Sequence, residues 1–176
     1  MTRFKSARAL EQHLAASGSD VQVIKRSPAR RDPARAARVA LAGRRQAHPE
    51  HDEQVKLVRW VRANEDRHAA LRTFHAVPNG GYRSKRTAAL MKAEGQLAGV
   101  PDTFLPWPRV GPDGRVEHGL YIEMKANGGR LSSSQQEIIG LLAAAGYRVV
   151  VCYSAEEAVA EIARYLGIGE NEYDRP

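Results

Sequence analysis

The sequence predicts an α/β fold, a mixed β-sheet flanked by helices. Three observations carry this. Amphipathic stretches at helical spacing alternate with short apolar runs bounded by turn signals. The runs Gly119 to Lys125 and Tyr147 to Tyr153 are separated by one helical stretch, which predicts a right-handed parallel crossover. The runs beginning at Thr103 and Gly119 flank the turn Gly111-Pro112-Asp113-Gly114, which predicts antiparallel neighbours.

From the N-terminus, Ala7 to Ala16 reads as a short helix. Lys25 to Arg45 holds eight Lys or Arg and one acid, a local charge of +7, with Pro28 and Pro33 among many alanines. It reads as a flexible basic arm, either a solvated linker or a DNA contact. The compact domain is expected to begin near Glu50. Glu50 to Glu65 reads as a helix with Leu57, Trp60 and Val61 on one side and Glu53 in line with them. An acid in that stripe marks either the helix start, where the dipole favours it, or a functional group. Leu71 to Val77 reads as a strand closed by Pro78-Asn79-Gly80-Gly81, and Ser84 to Glu94 as a helix stopped by Gly95. Thr103 to Trp107 is the next strand. Gly119 to Lys125 alternates, with Leu120, Ile122 and Met124 on one face and Tyr121, Glu123 and Lys125 on the other. Ser132 and Gln135 form a capping-box pattern for a helix ending at Gly146, and Ser154 and Glu157 another for a helix ending at Gly167. The expected division is residues 1–49 as extension, 50–168 as domain and 169–176 as tail.

The formal charge of +7 suits a polyanionic partner, nucleic acid first and an anionic membrane surface second. A single cysteine, Cys152, excludes an intrachain disulfide and a cysteine-based zinc site. It fits a reducing cytoplasm. Met1 to Ser17 lacks a signal-peptide apolar core, and no stretch has the ~18 apolar residues of a membrane span. The six histidines show no paired zinc spacing. Trp60, Trp107 and Cys152 read as packing residues.

The chemistry centres on Asp102, at the start of one strand, and on Glu123 and Lys125, two apart on the next. If those strands pair, the two carboxylates approach each other. Their hard oxygens, with the Met124 carbonyl, suit Mg²⁺ or Mn²⁺. Lys125 beside them could orient or deprotonate a water, or offset charge on a phosphate. A strand face bearing Glu and Lys is also what a solvated salt bridge looks like, so the dyad alone does not decide.

Pro101-Asp102 followed by Glu123-Met124-Lys125 resembles the signature of the PD-(D/E)XK nuclease superfamily. Val77-Pro78-Asn79-Gly80-Gly81-Tyr82-Arg83, Lys92-Ala93-Glu94-Gly95, Ala98-Gly99-Val100-Pro101-Asp102, Ile122 to Lys125 and Leu131 to Gln135 resemble the VRR-NUC family. The resemblance runs in order over roughly Asp52 to Leu166 and is closest to the small stand-alone, virus-type members. It implies a restriction-endonuclease-like αβββαβ core with a helix inserted after the first strand. It also implies a DNA endonuclease using one or two Mg²⁺ or Mn²⁺ ions, acting on branched DNA such as four-way (Holliday) junctions or flaps. Asp102 and Glu123 would be metal ligands and Lys125 the catalytic lysine. Glu53 would match the acid of the first helix, reaching the metal directly or through water. Gln135 would lie near the site, or act as the capping-box partner. Asn79, Gly80 and Gly81 would form a phosphate cradle or a simple turn. Arg83, Lys85, Arg86 and Lys92 would neutralise DNA phosphates or form a solvated helix face. A homodimer with two active sites is expected, with no membrane partner and no organic cofactor. The alternatives are a DNA-binding module with a nuclease-like fold, and an adaptor acting through the basic arm.

Overall fold

The structure, a computed structural model, describes residues 21–23, 49–78 and 85–169. The expected helix at Ala7 to Ala16, the arm from Lys25 to Arg45 and the cradle at Asn79, Gly80 and Gly81 with Arg83 lie outside the described residues, as do the side chains of Lys85 and Arg86.

Helix α1 (Pro49–Asn64) opens with proline, whose missing N–H costs nothing in a first turn, and with Glu50 and Asp52 at the positive end of the dipole. Leu57 and Val61 bury its inner side. The expected strand from Leu71 is corrected in its first half. Residues Ala69–Thr73 form a 3-10 turn that ends at Phe74, and only β2 (His75–Ala76) is extended. Leu71 and Phe74 are buried three apart, a spacing that suits a tight helical turn better than a period of two. Helix α2 (Lys85–Ala93) follows and stops at Gly95, whose φ of 95° no side chain would favour.

Strand β3 (Thr103–Leu105) pairs antiparallel with β6 (Leu120–Met124), as expected. A separate two-stranded ribbon, β4 (Arg109–Val110) and β5 (Val116–Glu117), grows from the connection around the Gly111–Gly114 turn. Helix α3 (Ser133–Ala144) leads to β7 (Arg148–Cys152), parallel to β6. Helix α4 (Ala155–Leu166) closes the domain, with Gly167 left-handed at its end.

The segment set outside the domain by the sequence contributes a strand. β1 (Val21–Val23) pairs parallel with β7, so the sheet order is β1-β7-β6-β3-β2. Three residues fall below the four-to-eight-residue pattern by which strands are read, about the shortest length that alternation can reveal.

The sheet separates two packed layers. On one face, Leu57 and Val61 of α1 and Ala158 and Ile162 of α4 pack against Leu105, Ile122 and Met124. On the other, Ile139 and Ala143 of α3 pack against Val149, with Tyr121 partly buried beside them. The end of the sheet remote from Asp102 is held by charge. Arg148 and Glu161, both buried, pair at 3.2 Å, and Arg109 of the ribbon pairs with Glu117 at 2.5 Å. Each buried charge there has its partner, which is the condition for keeping it.

Candidate active site

Asp102 sits on the approach to β3, and its Oδ2 accepts the Met124 N–H at 2.9 Å. This bond spans the β3–β6 pairing and brings Asp102 to the strand that carries Glu123. Glu123 is 1% exposed, on the face opposite the α1–α4 core. Its Oε1 accepts from the Gln135 side-chain amide and lies 2.5 Å from Lys125 Nζ. Its Oε2 is buried and has no hydrogen-bond partner among the described residues. An unpartnered buried carboxylate oxygen is costly.

The electrostatics agree. Burial pushes the Glu123 carboxyl up to about 7, and the Asp102 charge adds to the rise, against the hydrogen bond and charge of Lys125. Burial also raises Asp102 above the usual carboxylate range, while the Met124 N–H and Lys125 oppose the rise. Glu50 pushes both upward. Two acids held together in a desolvated place favour an added cation. Among the described residues no three His, Cys, Asp or Glu side chains form a metal-holding group. The acids brought together here are therefore a pair.

Gln135 takes both of the roles left open by the sequence. Its carbonyl accepts the Ser132 N–H at 2.9 Å while its own N–H reaches Ser132 Oγ, completing the capping box of α3. Its amide nitrogen remains to hold Glu123.

Glu53 has other partners. Its Oε2 accepts the Ala155 N–H at 2.8 Å and its Oε1 lies 2.5 Å from Lys56 Nζ. It thus satisfies a free N–H at the start of α4, which accounts for its inward position. The acid of α1 that bears on the pair is Glu50, one turn earlier on the same helix face. Its Oε1 accepts the Ala126 N–H at 2.9 Å, just past Lys125. In the sequence Glu50 marks only the start of this helix. The signal that could have singled it out is its i, i+3, i+7 alignment with Glu53 and Leu57.

The loop before Asp102 is fixed by contact with α3. Gly99 has φ +94°, and a Cβ there would lie 2.4 Å from the Ser134 carbonyl oxygen. Lys92, on α2, is exposed to solvent.

The VRR-NUC domain family model matches residues 33–156. A solved structure titled "VRR_NUC domain protein" is similar to this chain at 25% identity and a TM-score of 0.55, covering 71% of this chain and 93% of its own. No curated protein matches. With that match spanning more than half of its length, the chain belongs to the VRR-NUC family of nucleases.

Proposed function

We propose that the protein is a metal-dependent DNA endonuclease that hydrolyses phosphodiester bonds in branched DNA. The observation that supports this most is Glu123, with one oxygen held by a lysine and a glutamine and the other buried without a partner among the described residues. Asp102 and Glu123 would hold Mg²⁺ or Mn²⁺, with the Met124 carbonyl as a further oxygen and the Glu50 charge nearby. Glu53, whose carboxylate holds the Ala155 N–H, would reach the ion through water, and Glu50 would support the pair by its charge. The ion, when bound, supplies Lewis-acid polarisation of the phosphate.

The chain's own groups do the rest. Lys125, only 11% exposed, orients the attacking water and sets positive charge where negative charge grows on the phosphate. Gln135 fixes Glu123 in one rotamer, so the oxygens are preorganised. The Met124 N–H does the same for Asp102. Exposed Lys92, with Arg83, Lys85 and Arg86, would neutralise phosphates flanking the cut. A homodimer would set two such centres on symmetric strands of a four-way junction.

The test is cleavage of a labelled panel of linear duplex, single strand, flap and four-way junction, each with Mg²⁺, Mn²⁺ or EDTA, beside Lys125→Ala. Metal-dependent cutting that is lost in the variant and strongest on a branched substrate is expected. Binding without cutting under every metal would make the protein a DNA-binding module.

A further inference from the structure

The chain after Lys125 is tied down at once. The Lys125 N–H donates to the Cys152 carbonyl at 2.9 Å, carrying the β6–β7 pairing one residue past the strand. The Ala126 N–H donates to Glu50 at 2.9 Å, and the Ala126 carbonyl accepts the Gly129 N–H at 2.8 Å. That second bond closes a turn around Asn127 and Gly128. Gly128 has φ +85° while Asn127 has no positive φ, the pattern of a type II turn, whose third residue is best a glycine. Gly128 thus has its reason in its own backbone, and a Cβ there would meet nothing within 4 Å.

Gly129 has a different reason. Its φ is not positive, so its backbone conformation does not itself call for glycine. Contact does. A Cβ at Gly129 would lie 2.9 Å from the Ala126 carbonyl oxygen and 3.4 Å from Lys125 Cδ. The first separation is a clash, and it is with the oxygen that the Gly129 N–H holds. The second is a tight contact on the lysine stem. The bare backbone of Gly129 therefore closes over the Lys125 side chain, which is 11% exposed and ends with Nζ 2.5 Å from Glu123. A lysine stem is long and flexible, and here it is covered along its length and ion-paired at its tip.

We propose that Gly129 is a positioning residue for Lys125: lacking a side chain, it lets the turn close onto the lysine stem and keep Nζ at the acidic pair. This role rests on the nuclease reading and deepens it, since the turn then decides where the lysine meets the phosphate. Gly129 acts only through Lys125. Small displacements matter at such a place, where a shift of about 1 Å can cost about a hundredfold in rate.

The experiment compares the full chain with Gly129→Ala and Gly128→Ala. Lysine acylation in EDTA is followed residue by residue by peptide mass spectrometry, with exposed Lys92 as the internal reference. In the wild type Lys125 should react far more slowly than Lys92. Gly129→Ala should lose that protection, and its kcat should fall by about a hundredfold while Mn²⁺ and DNA affinities stay unchanged. Gly128→Ala should melt lower, because its φ is positive, yet keep both the protection and kcat. Should Gly129→Ala not fold, hydrogen exchange on the wild type carries the test: the Gly129 amide should exchange slowly. Free exchange there overturns the role. So does Lys125 protection with wild-type kcat in Gly129→Ala, and so does an equal loss in both variants, which would assign the effect to the shape of the turn. Acylation and exchange need no cleavage, so the two readings separate. Protection lost in Gly129→Ala of a protein that never cuts removes only the nuclease reading. Wild-type cutting that Gly129→Ala matches removes only the positioning.

Discussion

The Glu50 carboxylate accepts the backbone N–H of Ala126 at 2.9 Å, which ties the first turn of α1 to the residue following Lys125. Glu53, three residues on, bonds instead to the first N–H of α4. Two acids of one helix face thus divide the work, one beside the acidic pair and one at a helix end.

The division can be separated by substitution. Glu50→Gln should weaken Mn²⁺ binding by about tenfold, the scale of losing a group that supports a metal site. Glu53→Ala should weaken Mn²⁺ binding less, since Glu53 would reach the ion only through water, and cost about 1 kcal/mol of stability as a lost cap. Calorimetric titration and thermal unfolding of both variants check this. The reverse pattern would make Glu53 the acid closer to the ion.

The metal-free protein should lose stability as pH rises. Glu123 ionises near 7 in the fold and near 4.5 when unfolded, so between those values the folded state holds the extra proton. Stability then falls as pH climbs through that window, by up to about 3 kcal/mol if the whole shift is realised. Melting temperature followed from pH 4 to pH 8 in EDTA tests it. Glu123→Gln should flatten the curve, melt higher than wild type at pH 8 and fail to bind Mn²⁺. A wild-type curve that rises across this range would contradict the burial argument.

Lys125→Ala should abolish cutting by orders of magnitude while DNA and Mn²⁺ still bind, because in the proposed chemistry the lysine acts on the reacting groups and not on the ligand set. Cleavage assays and direct binding of the same sample measure the two effects side by side. Near wild-type cutting would remove Lys125 from the chemistry.

Gly99→Ala should cost about 1–3 kcal/mol, since its φ is positive and its Cβ would meet the Ser134 carbonyl oxygen. The loop would have to shift, carrying Asp102 with it. Mn²⁺ affinity should therefore fall together with melting temperature. A variant of unchanged stability would mean that the loop yields easily.

Much of the fold was legible because its signals are local. The caps at Ser132 and Ser154, the stop at Gly167 and the alternation of Leu120 to Lys125 each depend on a few neighbouring residues. The juxtaposition of Asp102, Glu123 and Lys125 followed from strand period and antiparallel pairing, with the family resemblance to single them out. The choice between Glu50 and Glu53 was not legible, since helical periodicity puts both on one face and only the docking of α1 decides which meets the acidic pair. β1 was too short to show a pattern, and the turn at Ala69–Thr73 carries an apolar spacing that a strand reading absorbs. The ring contacts among His75, Phe104, Tyr121, Tyr147 and His118 were hidden because these residues come from separate segments.

Gln135 joins the start of α3 to Glu123 through a single amide, with its oxygen on one and its nitrogen on the other. The two ends of that amide cannot exchange without losing both bonds. During synthesis, Glu123 and Lys125 leave the ribosome before the helix that steadies them. A growing chain halted ahead of Ser132 carries the acids and the lysine but not the clasp. The acidic pair and its clasp are therefore joined only once α3 has docked.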